Sequence, residues 1–210
     1  MKTFLAIAAA LIAAQPLYAQ QSIEAPGTIA HGAARTGFSE QVGAFRRVGA
    51  TRYDSGGRDI SANYDLVRPE GRVRASLYIY PAVPSGRPPT AAAARMRLCD
   101  DEYSSLKEAI DRQHKGVSLV EESPGPTIAG FDPRYAHRSV HRFRDDIGGG
   151  VEELRSESRL YCFVGGDWLV KYRISSSASM DARDEIETFV RGSAWPGRAA
   201  SQTISILVAP

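Results

Sequence analysis

The sequence predicts an α+β fold, an antiparallel meander sheet with a long helix and a C-terminal helix packed on it. Three observations predict it. Residues 60–80 alternate apolar and polar side chains around a Pro/Gly turn. Residues 90–116 repeat apolar side chains every three or four positions. Residues 151–175 read as two strands around a tight glycine turn.

The chain begins MKTFLAIAAALIAAQPLYAQQ. Lys2 gives a short positive start, Phe4 to Ala14 is apolar, and Ala19 offers a small residue at a cleavage point. That order predicts a secretory signal peptide over 1–19. The apolar run is shorter than the roughly 20 residues a membrane span needs, so no transmembrane segment is expected after cleavage. Residues 20–43 are rich in Gly and Ala and weakly periodic. They are expected to be an N-terminal leader with a short turn of helix. A single domain over 44–196 and a C-terminal tail over 197–210 complete the predicted organisation.

AFRRVGATRY (44–53) is the first strand expected, and SGGRD turns the chain. In ISANYDLV (60–67), Ile60, Ala62, Tyr64 and Leu66 alternate with polar residues. RPEG is a second turn. In VRASLYIY (73–80), Val73, Ala75, Leu77 and Ile79 share one face, and Arg74, Ser76, Tyr78 and Tyr80 share the other. Short turns between such strands make them antiparallel. In the helix expected over 90–116, Met96, Cys99, Tyr103, Leu106 and Ile110 form the inward stripe, with Thr90 as cap and Gly116 as stop. VSLVEE (117–122) is a short strand, 123–133 a Pro/Gly loop, and RYAHRSVHRFR (134–144) an extended segment. VEELRSESRLYCFV (151–164) and WLVKYRIS (168–175) make a hairpin. A three-residue GGD loop would pair Val164 with Trp168, Cys162 with Val170 and Leu160 with Tyr172. Ser179 is the expected cap of a helix carrying Ile186, Phe189 and Val190. TISILVAP (203–210) reads as a last strand or a docked tail.

The chain has two cysteines and a formal charge of +2. Cys99 lies on the inward stripe of the long helix and Cys162 on the apolar face of the hairpin. An even count in an exported chain predicts a Cys99–Cys162 disulfide rather than a nucleophile. The near-neutral charge argues against a nucleic-acid partner. Arg outnumbers Lys 22 to 4. Basic clusters form around Arg46, Arg47, Arg52, Arg72 and Arg74, and around Arg134, Arg138, Arg142 and Arg144. Glu152, Glu153 and Glu157 stand ready to pair with the second. The candidate binding face is Tyr78, Tyr80, Arg72, Arg74, Arg138 and Arg142. His137 and His141 have the spacing of zinc ligands on a helix, but on a strand that spacing separates them by about 13 Å. They are weak metal candidates only. Asp100, Asp101 and Glu102 point in different directions on a helix and are expected at the surface. No motif implies a cofactor, a hydrolase nucleophile or a phosphate loop.

The order "ASLYIYPA", long helix, "DWLVKYRIS", then "ARDEIETFV" resembles the PsbP-like (Mog/PsbP) α/β/α sandwich and its exported bacterial members, over roughly 44–195. The resemblance implies a noncatalytic accessory or binding module. The plant members' metal-binding and photosystem-docking residues have no counterpart in this chain. The expected function is therefore a periplasmic or secreted module that binds an envelope protein or a small anionic ligand. The alternative is a small hydrolase-type enzyme with an unrecognised site.

Overall fold

The computed structural model describes residues 20–193 and 195–197. The expected signal peptide and the TISILVAP segment lie outside the described residues. Chain order is β1 (Gln21–Ser22), β2 (Ile29–His31), β3 (Thr36–Phe38), β4 (Gln41–Val42), β5 (Phe45–Arg52), β6 (Ile60–Arg68), β7 (Gly71–Pro81), α1 (Ala92–Gln113), β8 (Ser118–Pro124), β9 (Ala136–Asp146), β10 (Val151–Val164), β11 (Trp168–Ser177) and α2 (Arg183–Gly192). A 3-10 turn, Pro133–Tyr135, leads into β9.

The main sheet is antiparallel throughout, in the order β1-β5-β6-β7-β11-β10-β9-β8, with β4 also on β5. Two meanders, β5–β7 and β8–β11, meet where β7 pairs with β11. Helix α1 is the crossover between them, which sends the chain from β7 in mid-sheet to β8 at the far edge. The α+β expectation is correct, with one helix on each face.

Alternation assigns the faces. Val73, Ala75, Leu77 and Ile79 of β7 share a core with Ile186, Phe189 and Val190 of α2. Phe189 meets Phe45 at 4.6 Å and Tyr64 at 5.0 Å between ring centroids. On the other face, Cys99 and Tyr103 of α1 join Leu160, Cys162 and Leu169. Farther along, Ile110 packs with Phe143 and Leu154. Cys99 and Cys162 are bonded to each other, with Cα atoms 5.9 Å apart. The link pins α1 over β10.

Three local expectations need correction. The residues read as a leader hold no helix: they form β1–β4, and Ile29, Phe38 and Val42 enter the α2-side core. Their apolar side chains are too dispersed for a periodic signal, and each strand is only two or three residues long. The expected caps, Thr90 and Ser179, are not used. The first α1 bond runs from the Arg95 N–H to the Ala91 carbonyl, and the Arg183 N–H at the start of α2 donates to Asp181. The third correction concerns the hairpin. Val164 does face Trp168, but Cys162 then faces Leu169 and Leu160 faces Lys171. Phe163 is an extra residue in a β-bulge, with φ of +64°. One residue of slip moves alternate side chains of β11 to the other face relative to β10. Lys171 and Arg173 consequently lie on the α1 side, while Val170 and Tyr172 point to α2.

Candidate functional site

Helix α1 covers only part of its face. Its contacts run along β9–β11, through Cys162, through His137 stacked on Tyr103, and through Phe143 stacked on His114. The β6–β7 half beside it is polar because alternation places Ser61, Asn63, Asp65, Arg72, Arg74, Ser76, Tyr78 and Tyr80 there. All but Ser61 are half-buried. Cross-strand bonds hold this surface: Ser76 donates to Asn63 at 2.7 Å, and Arg74 donates to Asp65 at 3.2 Å. Arg72 approaches Asp65 at 3.5 Å and donates to the Ile147 carbonyl at 3.2 Å.

Two clefts open along this strip and share Tyr78. One, of about 340 Å³, is lined by Tyr53, Asp59, Tyr78, Tyr80, Glu102 and Lys171. The other, of about 420 Å³, includes Arg74, Ser76, Tyr78, His114, Asp145 and Arg173. Lys171 faces Tyr78 across the strand pair, and its ammonium lies 4.1 Å from the Tyr78 ring centre and 5.5 Å from that of Tyr80. The Tyr80 hydroxyl donates to Glu102 at 2.6 Å, which ties the cleft wall to α1. Burial, and then the Glu102 charge, push the Tyr80 phenol upward. Burial, reinforced by Asp54, raises the Asp59 carboxyl to about 6. Burial lowers the Lys171 ammonium against the pull of Glu102 and Asp59, and Arg173 lowers it further.

Arg173 meets neutral partners. Its Nη1 donates to Gln113 at 2.6 Å, and its Nη2 donates to His114 Nε2 at 2.5 Å. Because guanidinium only donates, Nε2 accepts and Nδ1 carries the ring proton. That Nδ1–H reaches Asp145 at 2.8 Å.

The six residues expected to form one binding face do not do so. Tyr78, Tyr80, Arg72 and Arg74 lie together on the α1 side. Arg138 and Arg142 register with Arg159 and Arg155 and lie on the α2 side. There Glu157, only 3% exposed, accepts from Arg138 at 2.7 and 3.1 Å, Arg155 at 3.2 Å and Arg159 at 2.5 Å. Arg159 also binds Glu187 at 2.5 Å, Arg138 binds Glu121, and Arg142 meets Glu153 at 3.6 Å. Burial works to raise the Glu157 carboxyl, but Arg138 and Arg159 override it and hold it at about 2. A cleft of about 480 Å³ opens beside this network.

His137 and His141 lie on strand β9, as its extended reading requires, and point toward α1. His137 Nε2 is 3.3 Å from Asp100, and Ser139 lies between the two histidines in the strand. The grouping of Ser, His and Asp is sealed from substrate, since Ser139 is 0% exposed. Among the described residues, no three His, Cys, Asp or Glu side chains gather as a metal site. No described helix is long and apolar enough to cross a membrane.

Sequence reading missed Lys171, Arg173, Asp59 and Tyr53. The first two were assigned to the wrong side because the bulge at Phe163 leaves no pattern. The other two come from the β5–β6 connection, whose fold over Tyr78 is a tertiary matter. No family model, curated protein or solved structure matches the chain. The comparisons thus lend no support to the PsbP-like resemblance, which rests on the order of elements alone.

Proposed function

We propose that this protein is a noncatalytic, exported binding module whose recognition surface is the strip left open beside α1. The observation that carries the reading is the strip itself. Tyr53, Tyr78 and Tyr80 lie beside Lys171, Arg173 and Arg74 on a sheet half where side chains are half-exposed and polar. Tyr and Arg are the residues enriched where surfaces recognise partners. Export is supported by the leader-like N-terminus and by the Cys99–Cys162 link, which persists in oxidising compartments. The PsbP-like assignment points the same way and is retained as a proposal.

The hydrolase alternative draws on one observation, an Asp59 carboxyl near 6 in the same cleft as Lys171. The binding reading accounts for more of the strip, because its tyrosines and arginines extend well beyond that cleft.

Capture from an envelope extract tests the proposal. The wild type should retain a partner that is released by salt, because the strip's cations are only half-buried. Tyr78→Ala should abolish capture, and Arg142→Ala on the opposite face should leave it intact. Equal capture by all three proteins would refute the assignment of the surface.

A further inference from the structure

A further cleft, of about 410 Å³, lies where the first turn of α1 meets the β10–β11 turn, and it shares no residue with the two clefts of the strip. Its walls are aromatic: Phe131, Tyr135, Phe163 and Trp195. Small-molecule sites have this character, concave and mostly apolar with a few placed polar groups. Phe163 is the residue that the bulge inserts. Plain alternation would send it to the side opposite Cys162, but at φ of +64° it joins Cys162 in the α1-side cluster. That conformation is costly for a bulky residue, and such costs gather at binding sites. Tyr135 meets the Phe163 ring edge-on at 5.4 Å, and the Arg95 guanidinium lies 4.7 Å from its centre.

Arg95 is held in place by neutral groups. Its Nε donates to the Pro89 carbonyl at 2.9 Å and its Nη2 to the Gly166 carbonyl at 3.2 Å. Among the described residues, its Nη1 has no hydrogen-bond partner, and no carboxylate lies at ion-pair distance. The acid in the cleft lining, Asp132, is already taken. It accepts from the Arg134 backbone N–H at 3.0 Å, from Nε at 3.1 Å and from Nη2 at 2.7 Å, and Arg134 holds its carboxyl below the usual range. The strip differs, since acids line both of its clefts alongside the cations. Tyr135 is the second open group. It is 7% exposed, and its hydroxyl has no hydrogen-bond partner among the described residues. One placed cation and one phenol hydroxyl between aromatic walls suit a molecule with a single negative charge and an apolar body.

We propose that this cleft binds a small aromatic monocarboxylate, its carboxylate on Arg95 Nη1 and its ring among Phe131, Tyr135, Phe163 and Trp195. A monocarboxylate matches the single cation one for one, and its hydrogen bond from a guanidinium is charge-assisted. Because Pro89 and Gly166 already hold the guanidinium, little side-chain freedom is lost on binding. Trp195, 2% exposed and fixed by Nε1 donating to the Val190 carbonyl at 3.2 Å, is a rigid wall for an aromatic ring. The site lies apart from the strip and does not depend on it. The chain leaves the cleft wall at Gly197, so residues 198–210 are the competing occupant.

The test is calorimetric titration of residues 20–210 with naphthoate, against naphthamide and acetate. Naphthoate should bind. Naphthamide has the same shape without the charge and should bind about tenfold more weakly. Acetate has the charge without the ring and should give no measurable heat. Arg95→Gln should weaken naphthoate binding about tenfold, and Tyr135→Phe about threefold. Arg142→Gln on the α2 side should leave it unchanged. Arg95 also braces the β10–β11 turn, so a second readout uses the wild type alone. The photoreactive monocarboxylate benzoylbenzoate should label residues 128–135, 163–166 or 195–197, and naphthoate should block that labelling. Equal affinity for naphthoate and naphthamide, binding that survives Arg95→Gln, or label outside those segments would overturn the proposal. Binding that appears only once residues 198–210 are removed would overturn it too, by making that segment the occupant. Envelope capture through the strip stands or falls separately, on Tyr78→Ala.

Discussion

The two sides of the β10–β11 hairpin handle positive charge in opposite ways. On the α2 side, Arg138, Arg155 and Arg159 enclose Glu157, and Glu187 and Glu121 take the outer guanidinium nitrogens. That cluster is closed: each cation has an anion, and its energy is spent within the fold. On the α1 side, Lys171 and Arg173 are desolvated but lean on phenol rings, an amide and an imidazole. We read the first side as structural and the second as the proposed recognition surface. A larger cleft lies on the paired side and smaller ones on the unpaired side, so cavity size is the poorer guide. On the α1 side the acids act from beyond ion-pair distance, with Glu102 and Asp59 opposing the burial of Lys171 and Asp145 that of Arg173.

The strongest way to break this comparison is to remove the centre of the closed cluster. Glu157→Gln leaves Arg159, 2% exposed, with Glu187 alone as counter-charge and removes the acid that Arg138 and Arg155 share with it. Loss of one partner from a buried network costs about 3–5 kcal/mol, to be read from chemical denaturation. The matching change on the other side, Lys171→Met, should leave stability within about 1 kcal/mol of wild type. The lost cation–π contact is offset by ending the burial of an unpaired charge. If Lys171→Met costs as much as Glu157→Gln, Lys171 is structural and the comparison fails.

A smaller effect concerns what keeps the α1 side open. The disulfide closes a 63-residue separation and holds α1 over β10. Cys99→Ser with Cys162→Ser should cost about 2–4 kcal/mol, with the chain-entropy value for such a loop near the top of that range. Wild-type thiols should titrate only after reduction and unfolding.

The sequence made the sheet legible wherever one side of a strand is buried and the other is not. Strands β6 and β7 alternate cleanly because the α2-side core takes every second residue and the open strip takes the rest. Helix α1 was legible through its stripe, and with it the partnership of Cys99 and Cys162. Strand β9 was recognisable from its Pro and Gly boundaries, which also argued against the zinc spacing of His137 and His141. The site was less legible because it depends on one irregularity. A phenylalanine at positive φ is costly for its own backbone and is held by packing, with Tyr135 at 5.4 Å and the Arg95 guanidinium at 4.7 Å from its ring. Neither contact is visible in a local pattern. The observed pairing of Leu160 with Lys171 departs from the apolar pairing expected of the hairpin. It places a charged residue where a packed sheet would have an apolar one. The short strands β1–β4 were unreadable because two or three residues cannot establish a period.

Acid sharpens the comparison further, because the two sides should fail in different pH ranges. His137 and His141 of β9 and His114 at the end of α1 all lie under or against α1. Burial lowers each below its ordinary 6.5, and the nearby Asp100, Asp111, Asp145 and Glu122 oppose that only in part. The unfolded chain therefore binds protons more readily at these positions. Their contribution is fully present above about 6.5 and is lost progressively as pH falls through the depressed folded values. Glu157 is also depressed, from 4.5 to about 2, so its contribution is complete above about 4.5 and disappears only toward 2. Acidification from 7 to 5 should loosen α1 while the arginine–glutamate cluster remains intact. Hydrogen exchange should then rise in α1 and β9 before β10 and α2. Simultaneous loss of protection at both faces between pH 7 and 5 would mean that the histidines do not set the stability of the α1 side. Replacing His141, the most buried of the three, by Gln should reduce the pH slope on that side and leave the slope below 4.5 unchanged.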